Sequence, residues 1–458
     1  MAQTTVSLAA SQAFLGGYWP SQGVAGGHTA LQGTGGNSDV EGSFNGTSLT
    51  LLCYVNSGAT VSISIDGATA TNPAWTTGAW GYQSVASGLT ASLHTYVIKE
   101  TANSIYLDTT ATWQITGGAA TMSAPTAPVT QAPWSTGVRL EGGWQSVTAS
   151  TYAAYFTNFS DAAARITTNS TSLAIWAYQD GAKVRVAVDG VDSATPVVLA
   201  NTNMWGRIEL VTPGSLSNTH TYQVTWCSPS HYCYAFILDT SATTSGAAAR
   251  TSFFTFGDSI TQATPGTSND SSLGYAHLLA MKLNMQVFNC AIGGTTAANV
   301  SGSDTTSGTS RVTADIVSIA PGCVFGVDLY GTNDAGQVKG AETTSVFQSA
   351  INTIDTAIIN GTTTTKLYEL GILPSTTAYN STIPSFNTAK QAAVTAIGSS
   401  RLTYTSTNSW LNTATGLFDI VHPNPSGYAT MLPFIKALVS PQVFRRFSFG
   451  RTGSRLPQ

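Results

Sequence analysis

The feature that most restricts the fold is a repeat. TVSISIDG at 60–67 returns as KVRVAVDG at 183–190, and SLTL at 48–51 returns as SLAI at 172–175. Trp80-Gly81 matches Trp205-Gly206, His94-Thr95-Tyr96 matches His220-Thr221-Tyr222, and Leu107-Asp108-Thr109 matches Leu238-Asp239-Thr240. The offset drifts from about 123 to about 131 residues, much of it where SPSHY (228–232) falls in the second copy. A period this long marks one structural unit used twice, with loops of slightly different length.

Within each copy apolar residues alternate with polar ones, as in Val61, Ile63, Ile65 and Val184, Val186, Val188. A period of two is a strand with one buried face. Each Asp-Gly is then a turn, because glycine tolerates positive φ. Short strands cut by such turns indicate a sandwich or jelly roll. The sequence therefore predicts two tandem β-sandwich (jelly-roll-like) domains, 1–122 and 135–240. A Pro/Thr linker, SAPTAPVTQAPW at 123–134, joins them, and a second linker at 241–251 follows.

Tryptophans of the β region (Trp75, Trp80, Trp113, Trp144, Trp176, Trp205) can fill sandwich cores or stack on sugars. His94 and His220 recur in the repeat and so belong to its architecture, whereas His28, His231 and His277 show no partner pattern. Cys53, Cys290 and Cys323 sit in apolar runs and read as buried thiols. Cys227 and Cys233 flank SPSHY, where a hairpin would set them face to face, either bridged or free.

From 252 onward the rhythm changes. A short apolar strand, FFTF at 253–256, precedes a helical stretch at 274–284. Strands at 287–288, 323–330 and 366–373 then alternate with helices at 309–320, 342–360, 385–398 and 426–439. In 342–360, Val346, Ala350, Ile351, Ile354, Ala357 and Ile358 make one apolar face. Alternating elements imply a parallel sheet covered on both faces, a three-layer α/β domain over 252–444. Right-handed crossovers gather the loops after the strands at one edge. A basic tail, 445–458, follows.

Four blocks fall in those loops. Gly257-Asp258-Ser259-Ile260-Thr261 follows the first strand, and Asn289-Cys290-Ala291-Ile292-Gly293-Gly294 ends the second. Gly331-Thr332-Asn333-Asp334 ends the third, and Asp419-Ile420-Val421-His422-Pro423-Asn424 precedes the last helix. A serine hydroxyl is a poor nucleophile until a base accepts its proton. Histidine suits that task near neutral pH, and a carboxylate fixes its tautomer. Asp419 lies three residues before His422, so one turn can present both. The developing oxyanion needs preorganised donors. Asp258 and Asp334 look catalytic by type but are assigned structural roles, bonding nearby loop backbone. Asp328 stands where the strand should be apolar, as a substrate-facing or a paired structural carboxylate.

Taken together the blocks resemble the SGNH (GDSL-like) hydrolase family. GDSIT carries its nucleophile, Gly294 matches the glycine of its second block, GTND supplies its Asn, and DxxHP supplies its Asp and His. Ala291 stands where the family commonly has Gly. The resemblance implies a flavodoxin-like parallel sheet, a Ser259–His422–Asp419 mechanism, and an oxyanion hole from the Ser259 and Gly294 amides and the Asn333 side chain.

Composition narrows the setting. Only 9% of residues are charged, against about 25% in ordinary soluble proteins. A net charge of −4, from 18 basic and 22 acidic residues, leaves no basic stripe for a nucleic acid. No run approaches the roughly 18 apolar residues of a membrane span. The first twenty residues lack a basic n-region and a long apolar core, so no signal peptide is visible. No Cys or His cluster has metal-ligand spacing, so neither metal nor cofactor is expected. Arg445, Arg446, Arg451 and Arg455 make a solvated or assembly-bound terminus.

The expectation is an extracellular or virion-associated serine esterase, acting on small acyl esters, with acetyl esters of a carbohydrate polymer first. That substrate rests on the resemblance, since relatives with appended sandwiches act on acetylated polysaccharides. The alternative is a virion structural or receptor-binding protein, a tail or capsid decoration component carrying the same domain, with self-assembly or particle attachment through the sandwiches. A lipase-like thioesterase would need a long apolar groove, and the sequence shows no obvious lid. Sandwiches and hydrolase are each expected to fold alone, with small-ester turnover confined to the C-terminal part.

Overall fold

In the computed structural model of the protein the alternation at 48–65 becomes two strands in different sheets. The structure describes residues 3–449 apart from 8–13, 17–20, 26–27, 34–38, 67, 69–70, 111, 124–128, 132–136, 150–151, 200, 212–217, 240–241, 264, 363–364 and 377–378. Strand Ser48–Val55 runs inside a seven-stranded antiparallel sheet. Trp80–Ala86 lies along one side of it, and Ile105–Asp108 with Trp113–Thr116 along the other. Strand Thr60–Ile65 pairs with Ser92–Ala102 in a five-stranded sheet. The inward faces of the two sheets, Leu49, Leu51, Cys53 and Val55 against Val61, Ile63, Tyr96 and Ile98, close around Trp113 and Phe44.

The second copy repeats the plan. Leu173–Asp180 lies between His231–Leu238 and Asn201–Val211 in one sheet, and Lys183–Val188 pairs with His220–Trp226 in the other. Leu173, Ile175, Val184, Tyr222, Val224 and Trp226 fill the core. The repeated Asp and His account for each other. Asp66 and Asp189 hold φ of +50° and +51° at their turns. Each carboxylate accepts from a ring Nδ1, that of His94 at 2.7 Å and that of His220 at 2.6 Å. Each also accepts from the next backbone amide, Thr95 or Thr221. The other histidines have partners too: His28 with Asp108, His231 with Ser228, and His277 with Asp192.

SPSHY is not a hairpin. Strands His220–Trp226 and His231–Leu238 belong to opposite sheets, so the loop is a corner between layers. Cys233 sits across from Tyr155 and Ala177, not from Cys227, and both cysteines are free, buried thiols, as are Cys53, Cys290 and Cys323. Trp113 and Trp226 are core residues. Trp80 is half-buried and stacks on His28 with ring centroids 4.3 Å apart.

Of the 123–134 linker, Val129–Gln131 is a strand against His231–Leu238, and most of the rest lies outside the described residues. In 241–251, Thr244–Ser245 pairs with Ala163–Thr168, and the Arg250 guanidinium pairs with the Glu141 carboxylate. This stretch is stitched to the second sandwich and is no free tether.

Beyond 252 the sheet is parallel. Strand Ser252–Gly257 has Gln286–Asn289 on one side and Cys323–Leu329 on the other, followed by Lys366–Leu370 and Leu402–Thr405. The last strand, LTYT, is too short and too polar to mark itself in the sequence. Phe254 and Phe256 face helices Thr344–Gly361 and Ile383–Ile397, while Phe253 faces helices Tyr275–Leu283 and Pro425–Phe449. The helix expected at 309–320 breaks into a turn of α-helix (Gly308–Arg311), a π-helical stretch (Val312–Val317) and a 3₁₀ turn (Ala320–Gly322). Pro321, which lacks an N–H, sits in the last of these. The basic tail is not separate at its start: 445–449 continue the last helix, and 450–458 lie outside the described residues. Among the described residues no helix is long and apolar enough to cross a membrane. Because the second and third strands flank the first, their loops part at its C-terminal end and open a crevice there.

Candidate active site

The first strand delivers its serine through a tight exit. Gly257 has φ of +155°, and a Cβ there would sit 2.5 Å from Thr261 Oγ1 and 3.0 Å from the Leu329 carbonyl. Asp258 caps the short helix Ser259–Gln262, accepting from the Ile260 amide at 3.0 Å. The Tyr428 hydroxyl, from the last helix, donates to the Ile260 carbonyl at 2.8 Å. Ser259 thus occupies the first position of a helix pinned from both ends.

The histidine arrives on a turn built by Asp419. One carboxylate oxygen accepts from the Val421 and His422 amides, both at 2.8 Å, and the other accepts from His422 Nδ1 at 2.7 Å. That leaves Nε2 facing Ser259 Oγ at 2.8 Å. Partial burial pushes the Asp419 carboxyl up, but the two amides and the imidazole outweigh it and leave the group below its ordinary value. Asn424 closes the turn, donating to the Thr415 and Leu417 carbonyls and accepting from the Gly427 amide at the start of the last helix. Gly266 presses on the same turn: a Cβ there would fall 2.0 Å from the Pro423 carbonyl oxygen.

The second and third blocks meet across the serine. Gly294 is exposed, in left-handed backbone at φ +74°. The preceding amide, Gly293 N–H, donates to Gln262 Oε1 at 2.9 Å, which holds this turn against the helix Ser259–Gln262. A Cβ on Gly293 would stand 3.5 Å from that of Ser259. Asn333 donates one Nδ2 hydrogen to the Thr295 carbonyl at 2.8 Å and keeps the other. Hydrogen bonds therefore link Ser259 to His422 and Asp419, and Asn333 to the turn that Gln262 holds against the Ser259 helix.

Asp258 and Asp334 serve the scaffold. Asp334 accepts from the Ala297 and Ala298 amides at 2.9 and 3.3 Å. Burial pushes Asp258 up to about 7 and Asp334 up to about 6. Asp328 faces the interior, not the crevice. It accepts from the Tyr330 amide at 3.0 Å and lies with Asp355, Glu369 and Lys390, all fully buried. The Lys390 ammonium stands 2.6 Å from Glu369 and donates to the Tyr330 and Leu370 carbonyls. Among the described residues, Asp328, Asp355 and Glu369 form the acidic group with metal-ligand spacing, and Lys390 supplies its cation.

Gln262, Asn289 and Tyr428 were not singled out by sequence reasoning. Asn289 carried a signal, a polar residue ending an apolar strand, while Gln262 and Tyr428 carried none. Beside the Gly293–Gly294 turn lies a cavity of about 590 Å³. Asn158, Phe159 and Ser230 line it from the second sandwich, and Gln262, Ile292 and Arg311 from the α/β domain.

Residues 255–430 match the GDSL-like lipase/acylhydrolase family. No curated protein matches the chain by sequence. Among solved structures, a family two carbohydrate esterase from Clostridium thermocellum, an active-site mutant in complex with a cello-oligosaccharide, is similar at TM-score 0.57 and 16% identity. The match covers 67% of this chain and 98% of that one. An acetyl xylan esterase from the rumen bacterium Butyrivibrio proteoclasticus is similar at TM-score 0.52 and 11% identity, covering 69% and 99%. A salicylyl-acyltransferase from a tetracycline biosynthetic pathway is similar at TM-score 0.54 and 12% identity, covering 73% and 100%. At these identities the likeness is one of fold. It covers more of the chain than the α/β domain alone, so it reaches into the β region.

Proposed function

We propose that this chain, whose residues 255–430 belong to the GDSL-like lipase/acylhydrolase family, is a serine esterase that removes short acyl groups, acetyl first, from carbohydrate. The observation that carries the reading is the unbroken chain from Ser259 Oγ to His422 Nε2 at 2.8 Å and from His422 Nδ1 to Asp419 at 2.7 Å. Ser259 Oγ attacks the ester carbonyl carbon while Nε2 takes its proton. Asp419 steadies the imidazolium that results. The carbonyl oxygen, now negative, is met by the Ser259 and Gly294 amides and by Asn333 Nδ2. Collapse breaks the bond to the sugar oxygen, which leaves with the proton from Nε2. Water, activated by the same nitrogen, then releases the acid and restores Ser259.

Two things support carbohydrate as the alcohol part. The structures of like fold include carbohydrate esterases. The cavity beside the oxyanion turn also offers amide and hydroxyl groups with a phenyl ring, a lining suited to a polyhydroxylated ligand. The test is hydrolysis of p-nitrophenyl esters from acetyl to decanoyl, and of an acetylated xylan or glucan, with Ser259→Ala as control. Ser259-dependent release of acetate from the polymer is the expected result. Preference for decanoyl esters, with no release from polymer, would overturn the substrate reading.

A further inference from the structure

We propose that Asp161, on a corner of the second sandwich, is a positioning residue for the nucleophile and oxyanion turns of the hydrolase; the inference rests on the esterase reading above. Asp161 is buried and 128 residues from its partner Asn289 in sequence. Its own side is fixed first. The Asp161 amide donates to the Trp226 carbonyl at 2.9 Å, and its backbone holds φ of +62°, a conformation Asp tolerates better than most residues. Neighbouring Ser160 forms a β-bridge with Asn289, so sandwich and hydrolase backbones touch at this point.

Asn289 is where the carboxylate acts. Its Oδ1 accepts from Thr255 Oγ1 at 2.9 Å, on the strand that delivers the nucleophile. Its Nδ2 donates to the Thr261 carbonyl at 3.3 Å, two residues beyond Ser259 in the nucleophile helix. The second Nδ2 hydrogen goes to Asp161 Oδ2 at 2.8 Å. Five residues on from Asn289 is Gly294. One amide thus joins the strand before Ser259, the helix carrying it and the strand leading to the oxyanion glycine. Asn289 is fully buried, so no bulk water can replace the Asp161 acceptor.

The other carboxylate oxygen reaches the segment that backs the histidine. Asp161 Oδ1 accepts from Ser271 Oγ at 2.6 Å, and the Ser271 amide donates to the Cys227 carbonyl of the sandwich at 2.9 Å. Gly266, five residues upstream of Ser271, is the residue packed against Pro423 beside His422. Asp161 therefore braces the approach to Ser259 and the support of His422 from a domain that carries neither. No local pattern could reveal this, because both partners lie on elements far away in the chain.

The test uses the full-length chain, with kcat and KM measured on p-nitrophenyl acetate and folding checked by melting. Asp161→Ala is expected to lower kcat about tenfold or more with KM within about twofold, since small misplacements of reacting groups cost rate before affinity. Asp161→Asn can offer the same acceptor oxygen and should stay within about threefold of wild type. Asp161→Glu keeps the charge but moves it by one methylene, and should fall like Asp161→Ala. A folded Asp161→Ala or Asp161→Glu protein with wild-type kcat overturns the inference and leaves the esterase reading intact. If Asp161→Ala does not melt cooperatively, the Glu and Asn variants decide by the same criterion. A wild-type protein no faster than Ser259→Ala overturns both.

Discussion

Arg185 and Asp270 form an ion pair across the junction of the second sandwich and the hydrolase, 2.6 Å apart, with both side chains at most 5% exposed. The guanidinium also donates to Ser272 Oγ and to the Ser193 carbonyl. Arg185→Ala leaves the Asp270 carboxylate buried without its countercharge, which costs about 3–5 kcal/mol. Denaturant unfolding of the full chain is the measurement. A loss below about 1 kcal/mol, the range of exposed pairs, would mean that water reaches this junction.

Catalysis should follow the hydrogen-bond chain. Ser259→Ala and His422→Ala are each expected to lower kcat by roughly 10⁴–10⁶-fold, because the pair acts as a unit. Asn333→Ala should cost about 10²–10³-fold by removing one oxyanion donor. Asp419→Ala should be milder than His422→Ala, since the Asp419 side chain is 40% exposed and water can take its place. Fluorophosphonate labelling should map to the peptide containing Ser259, and label on another serine would contradict the assignment.

Stability should fall as pH rises. Burial pushes Glu342 up to about 9, with neighbouring Asp334 adding to it, while Asp258 stands at about 7 and Asp334 at about 6. Unfolded carboxyls titrate near about 4. Between those values the folded protein holds protons that the unfolded chain releases. The contribution is therefore complete below about 4 and is lost as pH climbs through 6, 7 and 9. Melting temperature should drop from pH 5 to pH 9, and Glu342→Gln, which cannot ionise, should flatten the drop. An unchanged slope in that variant would remove Glu342 from the account.

The two sandwiches should differ when removed. Asp161, Arg185, Lys183 and Asp192 of the second sandwich all bond to the hydrolase. Deleting 1–122 is expected to leave turnover of p-nitrophenyl acetate within about twofold, as for modular neighbours. Deleting through 251 exposes a polar junction that water can solvate. The remainder should stay soluble, but with kcat lowered at least as far as in Asp161→Ala. Full turnover by residues 252–458 alone would restore the modular expectation.

Sequence alone determined the parts that depend on short-range pattern. Alternation at 60–65 and 183–188 sets one strand face inward, and the repeated Asp and His find each other within one sandwich corner. Asp419 and His422 share a turn, so their pairing could be read from a spacing of three. The candidate residues could be picked out because three of their blocks follow strands and the fourth precedes the last helix, each with a distinctive composition. Tertiary structure decided the rest. Ser259 and His422 are 163 residues apart, and only the closed sheet brings them to 2.8 Å. Whether Asp328 faced substrate or the interior depended on which helix covered its strand, and the answer was Lys390 on Ile383–Ile397. SPSHY read as a hairpin because its composition is that of any turn, while its role as a corner depends on which sheet each flanking strand joins. The junction through Asp161 and Arg185 had no sequence signal for the same reason. A buried polar residue is placed by partners that chain folding supplies from elsewhere, and the local pattern records only that it is polar.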